Sequence, residues 1–361
     1  MFAPFTLNRG TLNLMAAVAL AGLGAAAQAT EVKIPDTTIT ASLRSSFVYT
    51  DADANPEKTS DFALNSFNIY LNSKITENIK FSFSSEITGP ITDTTSPSGN
   101  NTGLTVQDAI AQFEYSPTMN IWAGRFLPPT DRANSYGAYF SNNWNFANDG
   151  AQDGYPFIDK YGRADGVAYW GDFADTKLKF SAGIFELPST MAKNDVMTAA
   201  RVQYDFWDAE PGYYINGTYL GDKDILAVGV AANKVNGDTT TNADFLMEKK
   251  IAGGGAFTVE GEYIKYDKLG GYGPNEDSSW FLTSSYLFPS AMGPGKVELL
   301  GKFGTSKYTA PSVGYDTTEV NVNYLLKGFN ARVSLFYLGK SYDAPKMDTQ
   351  QIGVGVQLMT L

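Results

Sequence analysis

Any catalytic chemistry of this chain must rest on carboxylates, lysine, tyrosine or serine, because the sequence has no histidine and no cysteine. Their absence excludes Ser-His-Asp and Cys-His nucleophile pairs, histidine- or thiolate-ligated metals, and disulfides. Glu260 and Glu262 lie two residues apart and would share one face of a strand, which could suit a general acid and its base. Without a tight pocket around them, they are more simply a polar lining. We therefore predict no enzymatic activity.

A second motif with possible ligand chemistry is the DADAN sequence at residues 51–55, which begins like a calcium-binding loop. Pro56 stands where an EF-hand requires glycine, and no bidentate glutamate closes the loop. A solvated loop is the simpler interpretation. The sequence predicts neither a metal site nor a cofactor.

The charge balance argues against a nucleic-acid partner. Among 361 residues there are 27 Lys+Arg against 38 Asp+Glu, and the pI is about 4.6. A nucleic-acid-binding protein needs a basic face to neutralise phosphates.

Hydrophobic residues make up 43% of the chain, yet the mean hydropathy is only -0.20, so the apolar residues must be spread evenly.

One concentrated apolar run lies at the start of the chain. Residues 1–13 carry a single Arg9, residues 14–23 are nearly all apolar, and Ala27-Gln28-Ala29 has the small-x-small cleavage pattern. A membrane anchor would need about 20 apolar residues, and this run is shorter. We predict a secretory signal peptide over residues 1–29, followed by a single domain over residues 30–361.

Beyond the signal peptide, apolar and polar residues alternate with a period of two. In the segment 38–49 the odd positions Ile39, Leu43 and Phe47 are apolar, while the even positions Thr40 and Arg44 are polar. The same alternation returns in the segments 79–88, 177–185, 257–266, 316–326 and 330–340. This pattern predicts half-buried strands of about ten residues.

Two architectures produce many alternating strands: soluble sandwiches with a packed interior, and membrane barrels with a wet interior. The polar positions here are mostly Ser, Thr, Asn and Gly, and only 18% of the residues are charged, which is low for a soluble protein. Aromatic residues such as Tyr49, Tyr115, Tyr204, Phe206 and Trp280 crowd the strand ends, as in the aromatic girdles of membrane barrels. We predict a transmembrane antiparallel β-barrel in the bacterial outer membrane.

The number of strands follows from the alternation of short and long connections. A first count gives about 17 strands, whereas single-chain bacterial barrels normally have an even number. The least convincing strand is 213–220, which we assign to an extended connection on the side of the chain termini. This leaves about 16 strands, with 18 as the alternative.

The connection after the fifth predicted strand is long and aromatic. It spans residues 128–165 and is the third outer loop. A loop this apolar must pack against something. We expect it to fold into the lumen as a constriction, although a lid over the barrel mouth or a subunit contact is the alternative. The candidate constriction residues are Asp131, Arg132, Tyr136, Tyr139, Asp149, Asp153 and Arg163.

Charges on the predicted lumen face separate along the chain into two walls. A basic wall in the first half contains Arg44, Lys80, Arg125, Lys177, Lys179 and Arg201. An acidic wall in the second half contains Glu260, Glu262, Glu298 and Glu319. Because sequential strands are neighbours in an up-and-down barrel, the two walls would face each other across the lumen. A chance scatter of solvated charges would give the same asymmetry.

Four stretches resemble a known family. IWAGRFLPP at 121–129, DGAQDGY at 149–155, GRADGVAYW at 162–170 and GTYLG at 217–221 are similar to the phosphate-selective porin O and P family. The resemblance implies a 16-stranded barrel, a trimer, and passage of small anions across the outer membrane. It also matches Arg125 to the Gly-Arg-Phe motif at the start of the constricting loop.

Together these features predict a porin for passive diffusion of small hydrophilic solutes, weakly favouring small anions because of the basic wall. The expected partners are outer-membrane lipid, lipopolysaccharide, small solutes and, in a homotrimer, two further copies. A structural or adhesive barrel, or a sheath holding a partner protein in an occluded lumen, is the alternative. A barrel-embedded hydrolase would normally need a histidine-assisted serine.

Overall fold

The computed structural model describes residues 36–88, 103–146, 162–187, 196–235, 237–266, 277–307, 314–344 and 347–360. The predicted signal peptide, together with Asp149 and Asp153 of the predicted constriction, lies outside the described residues. Within the described ranges, no helix has the length and apolar composition to cross a membrane.

The chain forms one closed antiparallel barrel in which each strand pairs with its sequence neighbours and β1 pairs with β16. The strands are β1 (Asp36–Ala52), β2 (Asn55–Lys74), β3 (Ile79–Thr88), β4 (Gly103–Ser116), β5 (Met119–Phe126), β6 (Ala164–Phe173), β7 (Leu178–Glu186), β8 (Val196–Asp205), β9 (Ile225–Val235), β10 (Asp238–Ile251), β11 (Gly255–Tyr266), β12 (Asp277–Leu287), β13 (Lys296–Lys307), β14 (Tyr315–Lys327), β15 (Ala331–Tyr342) and β16 (Thr349–Met359). The prediction of a 16-stranded barrel is confirmed.

The period-two alternation places apolar side chains outside and polar side chains in the lumen. In β14, Val320 and Val322 are 50% and 39% exposed on the outer face, while Glu319, Asn321 and Asn323 are buried on the inner face. β16 repeats the pattern with outward valines and leucine. Closure leaves no unpaired sheet edge, and the outer band has the apolar character that suits lipid.

The first and last described residues, Asp36 and Thr360, lie at one end of the barrel, which we call the terminal end; the opposite end is the loop end. Connections at the terminal end include the tight turn 174–177, where Ala174, Asp175 and Thr176 adopt positive φ angles. Lys177 belongs to this turn and donates its backbone N–H to the Ala174 carbonyl at 3.2 Å. Its prediction as a lumen-facing strand residue was therefore wrong.

Within the part of the chain that the structure describes, two connections enter the lumen, one from each end. Loop L3, residues 127–163, follows β5 at the loop end; because β6 begins at Ala164, it ends two residues before the predicted boundary. The inner connection, residues 206–224, joins β8 to β9 at the terminal end. It contains no strand, which confirms the assignment of 213–220 to a connection, and it folds inward to meet L3.

Candidate pore constriction

The described part of L3, residues 127–146, lies inside the barrel. It makes two short 3₁₀ turns, Ala133–Ser135 and Ala138–Phe140. Thr130, Asp131 and Arg132 have no exposed surface, as expected for a loop enclosed by the barrel wall. The predicted infolding of the third outer loop is thus confirmed.

The first part of L3 is attached to β10 and β11 by carboxylates of the wall. The Arg132 backbone N–H donates to Asp244 at 3.2 Å, and the Ala133 N–H donates to Glu262 at 3.2 Å. The Tyr136 hydroxyl donates to Glu260 at 2.8 Å. These wall carboxylates supply acceptors for loop N–H and O–H groups that would otherwise be buried without partners.

The second part of L3 crosses to β13 and β14. Glu319 accepts the backbone N–H groups of Trp144 and Asn145 at 2.8 and 3.1 Å. Asn142 approaches Glu298 at 3.5 Å, and its carbonyl accepts a hydrogen bond from Asn323 at 2.7 Å. The loop therefore follows the acidic wall and is fixed to it along its described length.

Two residues of L3 meet the wall on β1, β2 and β15. The Arg44 guanidinium lies 4.2 Å from the centre of the Trp144 ring. It also donates a hydrogen bond to the backbone carbonyl of Trp144 at 2.5 Å. On its other side, Trp144 stacks on Phe336 with ring centres 5.6 Å apart. The Tyr139 hydroxyl bonds Ser66 at 2.6 Å. Arg44 is consequently buried beneath the loop, at 6% exposure.

The acidic wall has a different role from the predicted one. Glu260, Glu262, Glu298 and Glu319 do line the inner face, and each is at most 5% exposed. They contact L3 and do not face open solution. Their oxygens accept hydrogen bonds from the loop, so these carboxylates hold L3 in place.

The residues of the predicted basic wall do not share one environment in the structure. Lys179 forms an ion pair with Asp172 at 2.8 Å and Arg201 pairs with Asp244 at 2.5 Å, all four side chains being buried. Arg125 lies on the outer face of β5 and pairs with Asp165 at 2.7 Å.

Arg125 was predicted to face the lumen, so this assignment is wrong. Of the six predicted basic-wall residues, Lys80 keeps a substantially solvated side chain on the lumen face, 42% exposed.

The inner connection was not predicted as part of the site. Its Glu210 accepts two hydrogen bonds from the Arg132 guanidinium of L3, at 2.9 and 2.6 Å. The signal that could have found it is composition: Tyr213, Tyr214 and Ile215 make this connection apolar, as the aromatic residues do for L3. An apolar connection must pack against other residues. At the terminal end of the barrel, this connection packs inside the lumen.

An aromatic cluster fills part of the lumen between the inner connection and β5–β6. The Tyr213 ring lies 4.5 Å from Trp122, 5.7 Å from Phe126 and 6.3 Å from Trp170, measured between ring centres. Tyr214 packs edge-on to Trp122 at 5.4 Å. This side of the described lumen is packed like a protein core, so solutes have no room to pass there.

Solvated charges remain on the lumen side formed by β3 and β4, which adjoins this cluster: the Trp122 indole N–H donates to Glu114 of β4 at 3.0 Å. Lys80 pairs with Glu114 at 2.5 Å, with side chains 42% and 17% exposed. Arg163, at the end of L3, approaches Asp108 of β4 at 3.3 Å, and both remain partly exposed. This side is the candidate solute path, and its two ion pairs carry equal numbers of positive and negative charges.

No protein-family model and no curated protein matches this chain. Solved structures do match. An anion-selective porin from Comamonas acidovorans aligns over 90% of this chain and 99% of its own, with 13% identity and a TM-score of 0.59. Salmonella typhi OmpF aligns over 89% and 97%, with 12% identity and a TM-score of 0.59. The outer-membrane channel DcaP of Acinetobacter baumannii aligns over 91% and 99%, with 10% identity and a TM-score of 0.57.

The TM-scores and coverages show a shared fold: the chain has the fold of the outer-membrane porins. The narrower resemblance to the phosphate-selective porin O and P family stays a prediction.

Proposed function

We propose that this protein is an outer-membrane pore for passive diffusion of small hydrophilic solutes. The observation that carries the proposal is the asymmetric filling of the lumen. L3 and the inner connection fill much of the described lumen, while Lys80, paired with Glu114 on the adjoining β3–β4 side, stays 42% exposed. A narrowed but water-filled passage is what a diffusion pore requires.

The outer-membrane location rests on the apolar outer band, the wet inner face and the predicted signal peptide. Lipid and lipopolysaccharide are the partners that such a band requires. A homotrimer is part of the proposal, because the family that the sequence resembles forms trimers. We propose no catalytic role, since the carboxylates of the lumen are engaged in holding L3.

A weak preference for small anions is the finer part of the proposal. Its support comes from Lys80 alone among the predicted basic wall, because the other five residues are buried, lie in a turn, or face outward. Glu114 opposes Lys80 directly. We therefore expect a small preference that a single substitution of either residue can change.

Planar-bilayer recording of the purified protein tests the proposal. A diffusion pore gives discrete, ohmic conductance steps in symmetric solutions of a small salt. The competing candidate, an occluded structural barrel or sheath, gains support from the aromatic packing around Trp122 and Tyr213. Such a barrel would insert into the bilayer and stay silent.

A further inference from the structure

The inner connection forms a continuous contact with L3 near the middle of the lumen. The Tyr213 hydroxyl donates to the Leu127 carbonyl at 2.8 Å. Two backbone bonds follow: the Ile215 N–H donates to the Ser135 carbonyl at 3.3 Å, and the Gly217 N–H donates to the Phe140 carbonyl at 3.0 Å. The two segments therefore meet from opposite ends of the barrel along most of the described loop.

A buried ion pair lies at the centre of this contact. The Arg132 guanidinium bonds both oxygens of Glu210, and it also donates to the Asn216 carbonyl at 2.6 Å. Neither side chain of the ion pair has any exposed surface. Bidentate geometry fixes the relative position of the two segments as well as their contact. Removing Glu210 would leave the buried Arg132 guanidinium with Glu260, at 4.0 Å, as its remaining carboxylate among the described residues, which is unfavourable.

The inner connection is itself anchored to the barrel wall. Glu248 of β10 accepts hydrogen bonds from the Thr218 hydroxyl at 2.7 Å and from the Tyr219 and Gly221 N–H groups at 2.9 and 2.7 Å. Asp172 of β6 accepts from the Gly212 N–H at 2.7 Å. These hydrogen bonds to the barrel wall fix the inner connection, and with it the position of Glu210 beside L3.

We propose that the inner connection sets the bore of the pore by holding the first part of L3 in place, with Glu210 as the positioning residue. The proposal rests on the proposed function, because a bore matters only in a pore. The second part of L3 has its own anchors at Glu319 and Glu298. Loss of the Glu210 contact should therefore release the Arg132 side chain, so that the first part of L3 keeps only its bonds to the wall of β10 and β11, while the second part stays attached as before.

The first test is Glu210→Gln, which keeps the side-chain shape and removes the charge. Asp224→Asn is the matched control: Asp224 belongs to the same connection, but its ion pair with Lys249, at 2.6 Å, is exposed and lies at the barrel rim. We expect Glu210→Gln to raise single-channel conductance and open-channel noise, while Asp224→Asn behaves as wild type. Heat-modifiable migration in gels checks that both variants form the barrel.

A reversible crosslink separates positioning from general damage. Because the chain has no cysteine, Ser135→Cys and Ile215→Cys can be introduced as one pair at positions joined by a backbone hydrogen bond. In the Glu210→Gln background, oxidation should return the conductance to the wild-type value, and reduction should raise it again. Unchanged conductance in folded Glu210→Gln, or raised conductance that a fully formed disulfide does not lower, would overturn the proposal.

A readout that needs no conductance keeps this proposal separate from the proposed function. Ser135 is buried, so a lone Ser135→Cys should react slowly with a water-soluble maleimide and several-fold faster when combined with Glu210→Gln. A wild-type protein that gives no conductance would refute the proposed pore function. Faster maleimide labelling of Ser135→Cys in the Glu210→Gln background would still support the positioning role of Glu210. Equal labelling rates with and without Glu210→Gln would overturn that role in either case.

Discussion

Ion selectivity should depend on the Lys80–Glu114 pair, because Lys80 is the solvated member of the predicted basic wall and Glu114 is its partner. The two groups lie 2.5 Å apart, so their fields largely cancel for a passing ion. Glu114→Gln removes the negative partner. Glutamine keeps an acceptor for the Trp122 indole N–H, which donates to Glu114 at 3.0 Å, so the local packing should survive.

The size of the effect follows from Coulomb's law. An ion passing about 7 Å from an unpaired charge in water feels about 0.6 kcal/mol. Screening with a Debye length of about 8 Å reduces this to about 0.25 kcal/mol. Since RT is about 0.6 kcal/mol, anions are enriched about 1.5-fold and cations depleted by the same factor. Glu114→Gln should therefore raise the anion-to-cation permeability ratio about twofold, and Lys80→Gln should lower it about twofold.

Reversal potentials in a salt gradient measure this ratio directly. The double variant, Lys80→Gln with Glu114→Gln, should return to the wild-type value. Lys58→Gln is the matched control, because its ion pair with Asp51 is exposed on the β1–β2 hairpin. Shifts of the same sign in both single variants, or no shift in either at low salt, would refute the placement of this pair beside the solute path.

Three further predictions follow. Arg125→Gln should leave the reversal potential unchanged, because Arg125 faces outward; a shift would return it to the lumen. Burial alone would raise the pKa of Glu210, but Arg132 holds that pKa below its usual value. The contact between Glu210 and Arg132 is therefore present above the ordinary glutamate pKa and is lost as the pH falls through the lowered pKa of Glu210. Bilayer conductance should be constant from about pH 7 to about pH 5 and rise only in stronger acid. A rise already near pH 6 would contradict this assignment. Mass spectrometry of the outer-membrane form should find the chain cleaved after Ala29, and an intact leader would refute export by this signal.

The strand count could be predicted because alternation is local. In β14 the choice between lumen and exterior is visible residue by residue, as at Glu319 and Val320. The same reasoning failed at Arg125. In β5 both faces are apolar, since inward Trp122 and Phe126 pack on the inner connection, so polarity does not indicate which face is the lumen.

The composition of the acidic wall was predictable, but its environment was not. Glu262 accepts its hydrogen bond from Ala133, and Glu319 from Trp144, residues more than a hundred positions away in the chain. No local pattern reports such a contact. Sequence polarity identifies a carboxylate on the inner face, whereas only the path of L3 decides whether that carboxylate meets water or a loop N–H.

Single-channel conductance of the wild type beside a variant lacking residues 135–148 tests the central claim most directly. This deletion removes the part of L3 that crosses the lumen toward Glu298 and Glu319. A pore narrowed by L3 gives stable ohmic steps in the wild type and larger steps in the deletion variant, with the heat-modifiable barrel retained in both. A silent wild type whose deletion variant conducts, or equal conductance in the two, would contradict the claim.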